Sequence, residues 1–125
     1  MNAVVYRGPR NIKVEDVPEP RVSGRKVLVN FKAGGICGTD MHFYRGDWRW
    51  MKRGRIIGHD ACGVRADTGE RVVLMPLVYC GKCYYCREKG LMMKCRQLKK
   101  YGHDSCDDPP HFVGGFAEYC YISPG

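Results

Sequence analysis

The stretch KVLVNFKAGGICGTDMHFY, residues 26–44, changes its hydrophobic pattern halfway along. Apolar and polar side chains alternate over residues 26–34, which is the period of a half-buried β-strand. The segment that follows, ICGTDMHFY, loses this alternation, and we expect Thr39 or Asp40 to cap a short helical turn there. The sequence therefore predicts a strand that leads directly into a helical turn carrying a cysteine and a histidine.

Further strand patterns surround this stretch. Period-two alternation also marks AVVY and IKVEDV. Strand character returns at IIGHDACGVR and ERVVLMP and, led by glycine, at GGFAEYCYI, and turns rich in Gly, Pro and Asp separate the segments. The intervening segment at residues 80–95 is rich in Gly and Lys and has few apolar side chains with which to build a core. Many short strands joined by turns, with little helix, predict a mainly β fold, either a closed or a half-closed barrel.

The length and composition fit one globular domain. The chain has 125 residues, of which 44% are hydrophobic and 27% are charged. Its apolar runs fall far short of the ~20 residues of a membrane-spanning helix, and residues 1–10 lack the apolar centre of a signal peptide. We therefore expect a soluble, cytoplasmic protein without a membrane partner.

The basic charge is concentrated in two segments. The formal net charge is +8, with 21 basic and 13 acidic residues. Residues 45–55 and 82–100 hold the excess, and the rest of the chain is slightly acidic. A basic surface favours an anionic partner such as nucleic acid. Much of this charge can instead balance the thiolates of a metal site in the second segment, so we expect no nucleic-acid partner.

Four cysteines within CGKCYYCREKGLMMKC have the spacing of a metal site. Two residues separate successive members of the first three, and the fourth follows on a short return loop: Cys80, Cys83, Cys86 and Cys95. Four thiolates at ~2.3 Å complete a tetrahedron around zinc and leave no position for a substrate. The pattern predicts a structural zinc whose binding helps to fold the segment, rather than free cysteines or disulfides.

A second cluster joins Cys37, Thr39, Asp40 and His42 with the later His59. A catalytic zinc takes three protein ligands and leaves one position open, and cysteine with histidine is a ligand set that binds an alcohol oxygen and lowers its pKa. Thr39 can relay the hydroxyl proton and His42 can pass it to solvent. Asp40 can accept a hydrogen bond from the second ring nitrogen of His59.

These motifs resemble the N-terminal catalytic, GroES-like domain of the zinc-dependent medium-chain alcohol dehydrogenases. The matching motifs occur in family order over nearly the whole chain: GICGTDMH, GHDACGV, ERVV, CGKCYYC and GGFAEY. The resemblance implies a partly open GroES-like β-barrel over residues 1–125, with a small zinc lobe at residues 80–95. It implies Cys37 and His59 as catalytic-zinc ligands, and Thr39 and His42 as the proton relay. Asp60, in place of the common Glu, matches the acidic residue that can move onto the metal.

The resemblance also implies a function. It points to NAD- or NADP-linked oxidation of a secondary alcohol, and Gly38 points to a polar substrate: a polyol, sugar, cyclitol or hydroxy amino acid. The family's nucleotide-binding domain and third catalytic-zinc ligand come later than residue 125, and no G-x-G-x-x-G after a strand occurs here. We therefore expect an incomplete catalytic domain that is inactive alone. The full enzyme is expected to form homo-oligomers.

Two alternatives remain open: a zinc-stabilised basic module that binds nucleic acid, and a GroES-like interaction module without catalysis.

Trp48 and Trp50 are assigned either to a substrate pocket or to a solvated basic loop with one tryptophan packed down. Two other sets complete the expectations. The buried apolar cysteines are expected to be Cys62, Cys106 and Cys120, and the surface histidines are expected to be His103 and His111, with His103 also a candidate third zinc ligand.

Overall fold

Short strands make up most of the regular structure in the computed structural model, which describes residues 1–19, 24–104 and 113–122. The strands in these ranges are β1 (Asn2–Gly8), β2 (Asn11–Asp16), β3 (Val27–Gly35), β4 (Arg55–Ile56), β5 (Asp60–Arg65), β6 (Arg71–Val73), β7 (Leu77–Val78), β8 (Lys99–Lys100) and β9 (Tyr119–Ile122). The helices are α1 (Gly38–Arg45), α2 (Tyr84–Arg87) and a 3-10 turn (Met92–Lys94). The predicted mainly β fold with little helix is confirmed.

The strands pair into three antiparallel sheets. One sheet has the order β2-β1-β4, a second has the order β6-β5-β3-β9, and β7 pairs with β8. The first two sheets meet through the segment before β9, where the Val4 amide donates to the Phe116 carbonyl at 2.8 Å and the Phe31 amide donates to the Glu118 carbonyl at 3.0 Å. Over the described residues the sheets form a partly open barrel.

The segment IIGHDACGVR, expected to form one strand, is broken in the middle. β4 ends at Ile56 in the first sheet, and β5 begins at Asp60 in the second. Gly58 between them has φ +97°, a left-handed conformation that glycine adopts without the steric cost of a side chain. The break carries the chain from one sheet to the other and places His59 where the sheets meet.

Two clusters of buried side chains form the core. The larger lies between the sheets and includes Val5, Leu74 and the fully buried Cys120. The smaller holds α1 against the first sheet through Tyr6, Phe43, Met51 and Ile57. Among the residues that the structure describes, no helix is long and apolar enough to cross a membrane.

The single cysteines of the strands have different environments. The expectation of a buried Cys120 is confirmed, since its side chain is 0% exposed. The expectation for Cys62 is wrong, because on β5 its side chain alternates with buried Ala61 and is exposed. Cys106 and His111 lie outside the described residues.

Candidate metal centres and the adjacent histidine

The N-terminus of α1 fixes the Cys37 thiol. Cys37 itself is the N-cap of the helix, where Thr39 or Asp40 was expected. Its sulfur accepts a hydrogen bond from the Thr39 amide at 3.3 Å, and the Asp40 carboxylate accepts one from the Cys37 amide at 2.9 Å. This reciprocal arrangement is a capping box with a thiol in the place of the usual hydroxyl. It holds the thiol at the end of β3, facing β5.

The thiol faces the imidazole of His59. Cys37 Sγ and His59 Nε2 are 3.0 Å apart, and a carboxylate oxygen of Asp40 completes a set of three possible ligand atoms within 4.8 Å of one another. Asp40 Oδ1 lies 3.8 Å from His59 Nδ1, which is too far for the hydrogen bond that was expected between them. Both atoms are buried, and neither has a hydrogen-bond partner among the described residues. A thiol and an imidazole nitrogen directed at each other suit zinc, so the residues fit the implied metal.

The other predicted catalytic residues surround this pair. Asp60 Oδ2 is 3.7 Å from His59 Nε2, and its side chain is 56% exposed. Thr39 lies in the first turn of α1, next to the thiol. His42 lies one turn further along, where its Nδ1 contacts Asp47 Oδ2 at 2.8 Å. The structure thus brings Cys37 and His59 into contact. Asp60 lies beside His59, and Thr39 and His42 lie on the helix that Cys37 caps.

His103 joins this centre from a distant part of the sequence, although a surface position was expected. Its ring lies 5.1 Å from the His59 ring, 4.9 Å from the Phe43 ring and 5.8 Å from the Trp50 ring, measured between centroids. Both ring nitrogens of His103 are buried, and neither has a hydrogen-bond partner in the part of the chain that the structure describes. Burial, together with the neighbouring His59, lowers the pKa of His103 to about 4.

Two glycines bring the histidines together. A Cβ on Gly102 would lie 2.4 Å from the Gly58 carbonyl oxygen, so these backbones touch in a way that only glycine permits. Each glycine immediately precedes a histidine of the pair, His59 or His103. The Gly-His dipeptide is thus repeated in the sequence, but a repeated dipeptide does not by itself predict that the two copies meet.

Tryptophan side chains extend the site toward solvent. Trp48 stacks on the His42 ring at 5.1 Å and on the Trp50 ring at 5.6 Å. Trp50 is 55% exposed and also contacts His103. Trp48 packs against the smaller core cluster while Trp50 is exposed, an arrangement that fits either a wall of a substrate pocket or a basic loop with one tryptophan packed down.

The four-cysteine lobe is a compact cluster of free thiols. The four sulfurs lie within 4.8 Å of one another, and the Cys83 and Cys86 sulfurs are 3.5 Å apart. This separation is far longer than the ~2.05 Å of a disulfide bond. Their positions after two-residue spacers and a short return loop match the predicted tetrahedral site.

Backbone amides prepare this lobe for a cation. Cys95 Sγ accepts hydrogen bonds from the Cys80 amide and from the Gln97 amide, each at 3.3 Å. Amides of Arg96 and Cys86 lower the pKa of Cys83 to about 6, because such bonds favour the thiolate. These amide donors stabilise the thiolates but leave their negative charge in place, which suits a lobe that binds a zinc cation.

Comparisons with known proteins agree with this architecture. The family model described as the alcohol dehydrogenase GroES-like domain matches residues 23–125. The starvation-sensing protein RspB of Escherichia coli is 34% identical over 98% of this chain and 36% of its own length. The L-galactonate-5-dehydrogenase of Escherichia coli is 28% identical over the same shares.

A solved structure extends the likeness to three dimensions. The crystal structure of the alcohol dehydrogenase rspB from Escherichia coli, complexed with NADH, superposes with a TM-score of 0.83 at 33% identity. That superposition covers 98% of this chain and 36% of the other. The chain thus spans about a third of the length of the relatives that it matches. On its motifs, its fold and these matches, the chain belongs to the zinc-type medium-chain alcohol dehydrogenase family, of which it carries the GroES-like domain.

Proposed function

We propose that residues 1–125 are the incomplete catalytic domain of a zinc-dependent, NAD- or NADP-linked dehydrogenase. Its substrate is a small molecule with a secondary alcohol and further polar groups: a polyol, sugar, cyclitol or hydroxy amino acid. The observation that carries the proposal is the 3.0 Å contact between Cys37 Sγ and His59 Nε2, beside two buried polar atoms that find no partner within the described ranges. A domain that served only as a scaffold would gain nothing from these unpaired groups.

Cys37 and His59 would hold the catalytic zinc, which supplies Lewis acidity and lowers the pKa of an alcohol hydroxyl. The capping contacts of α1 orient the thiol, and the Asp40 carboxylate facing His59 Nδ1 favours the tautomer with its lone pair on Nε2. Asp60, exposed and 3.7 Å from Nε2, is within reach of the same metal after a side-chain rotation.

The proton of the alcohol leaves through α1. Thr39, next to the thiol, would accept the proton on its hydroxyl oxygen while its own hydroxyl proton passes on toward His42, which would release a proton to solvent. Support comes from the position of His42, which is 47% exposed and whose Nδ1 is held by Asp47 at 2.8 Å. This contact leaves Nε2 as the nitrogen that exchanges the proton.

The cysteines at positions 80, 83, 86 and 95 would hold a structural zinc, since protein atoms fill all four ligand positions. The family's nucleotide-binding domain would hold the cofactor. The similar rspB structure is complexed with NADH, which supports a nicotinamide cofactor. The activity of a relative on L-galactonate supports a polar substrate. We expect the chain alone to transfer no hydride, and the full enzyme to be a soluble cytoplasmic homo-oligomer.

Zinc content tests the assignment of both metal centres. The chain, purified in metal-free buffer and supplied with zinc, is expected to hold about two zinc ions by elemental analysis. Cys37→Ala is expected to hold about one, because it loses only the cysteine–histidine site. Cys62→Ala is the matched control, since its exposed thiol lies outside both clusters.

The opposing result is a content of about one zinc that Cys37→Ala leaves unchanged. That result would favour the interaction module without catalysis, because only the four-cysteine lobe would then bind metal. Zinc loss from Cys62→Ala would instead show that the ligands of one of the two metal centres have been assigned wrongly.

A further inference from the structure

The His103 ring is the polar group near the metal centre that the proposed chemistry leaves without a role. Both of its nitrogens are buried, and no residue in the ranges 1–19, 24–104 and 113–122 gives either of them a hydrogen bond. A neutral imidazole has one donor and one acceptor, and a buried group of this kind normally has partners for both. A phenylalanine would make the same ring contacts with Phe43 and Trp50 without this penalty. A ligand that supplies the missing partners explains why the site carries a histidine.

The position of His103 identifies what such a ligand must reach. Its ring is 5.1 Å from the His59 ring, nearly perpendicular at 79°. On its other side it contacts Trp50, which is 55% exposed. The contact between Gly102 and Gly58 holds the two histidines in this arrangement. A molecule in contact with His59 from the side of Trp50 therefore also meets His103.

The chemistry of the ring narrows the ligand to hydroxyl groups. A hydroxyl both donates and accepts, so it can bond to whichever His103 nitrogen faces it. The Trp50 indole offers an apolar face on which the C–H groups of a carbohydrate-like carbon chain can pack. The 5.1 Å between the His103 and His59 rings places such a hydroxyl close to the candidate metal centre.

We infer that His103 is a substrate-binding residue that hydrogen-bonds to a second hydroxyl group of the substrate, near the alcohol that is oxidised. Substrates with more than one hydroxyl group, of which a 1,2-diol is the smallest probe, are therefore preferred over simple alcohols. This inference rests on the proposed function and deepens it. His103 contributes to affinity and specificity and takes no part in the proton relay.

The test compares two small probes on the zinc-loaded, ¹⁵N-labelled chain: 2-propanol and 1,2-propanediol. Long-range ¹H–¹⁵N spectra follow the ring nitrogens of each histidine during the titrations. The diol is expected to bind about two- to tenfold more tightly, which is the range of one added hydrogen bond. Only the diol is expected to shift a His103 nitrogen.

Variants separate this role from a structural one. His103→Phe is expected to remove the preference for the diol, and His103→Gln to restore part of it. Cys37→Ser removes a proposed zinc ligand, so binding of 2-propanol that survives it contradicts the proposed function and the inference that rests on it. Binding of both probes that depends on Cys37 but shows no preference for the diol contradicts the inference alone.

Three results would overturn the inference. Equal affinities for the two probes would show that no second hydroxyl is recognised, and a preference retained in His103→Phe would assign the recognition elsewhere. A His103 nitrogen that moves to the shift of a metal ligand on adding zinc alone would make this residue a third ligand instead. The spectra of the unmutated chain decide the first and third results even if a variant fails to fold.

Discussion

The close contact between Gly102 and Gly58 makes a quantitative prediction for Gly102→Ala. An alanine there must adopt φ +78°, at a cost of roughly 1–2 kcal/mol for a left-handed residue with a Cβ. Its Cβ would also lie 2.4 Å from the Gly58 carbonyl oxygen and 3.0 Å from the carbonyl carbon. Relieving this overlap by a backbone shift costs about 1–3 kcal/mol. The free energy of unfolding should therefore fall by about 2–5 kcal/mol.

Gly69→Ala is the matched control for this variant. Gly69 has a similar φ of +74°, but nothing lies within 4 Å of a Cβ placed on it. It should lose only the conformational part, roughly 1–2 kcal/mol. The comparison therefore isolates the overlap, on which the positions of His59 and His103 depend.

Urea denaturation of the zinc-loaded chain, followed by tryptophan fluorescence, measures the difference. With an m-value of about 2 kcal/mol/M, the midpoint of Gly102→Ala should lie roughly 0.5–1.5 M below that of Gly69→Ala. Equal midpoints would refute the reasoning, because they would show that the backbones of residues 58 and 102 are not in contact.

Three further predictions concern the core, the zinc lobe and the response to pH. Phe43→Ala should lower the free energy of unfolding by about 3–5 kcal/mol in urea denaturation, because the Phe43 side chain is 0% exposed; a loss below 1 kcal/mol would contradict this packing. Cys95→Ser should lower both the zinc content and the melting temperature in calorimetry, since it removes a ligand from the lobe; an unchanged zinc content would count against the site. The pKa of His103 is about 4 in the folded chain against 6.5 for the free side chain, so the unfolded state binds more protons between these values. The stability that the neutral ring contributes is present above pH 6.5 and is lost as the pH falls toward 4. In urea denaturation at stepped pH, the free energy of unfolding of His103→Phe should therefore depend less on pH than that of the unmutated chain. The same pH dependence in both would show that the pKa of His103 is not lowered.

The sequence predicted the strands and the local clusters well, because both depend on short spacings. Alternation located β1, β2, β3 and β9, and the two-residue spacers located the four-cysteine lobe. Strands β7 and β8 were missed, since each has only two residues and therefore no measurable alternation. The break at Gly58 was also missed, because alternation continues through a glycine whose φ is positive.

The candidate site was only partly predictable. Cys37 and His59 stood out by residue type within recognisable motifs, whereas His103 occurs among ordinary polar residues. Its burial depends on the tertiary contact between two glycines, and no local pattern encodes such a contact. The role of the Cys37 thiol as a helix cap was likewise unexpected, because hydroxyl and carboxylate side chains are the usual caps.

The distribution of ligands along the chain has a consequence for the order of folding. The lobe draws its four sulfurs from one local segment, so a partly folded chain can already bind zinc there with a small loss of loop entropy. The other centre joins residues 22 positions apart and depends on the meeting of two sheets. Contacts of greater sequence separation form more slowly. During refolding the two zinc ions should therefore bind one after the other. The lobe should bind zinc first, and the cysteine–histidine pair only once the two sheets have come together.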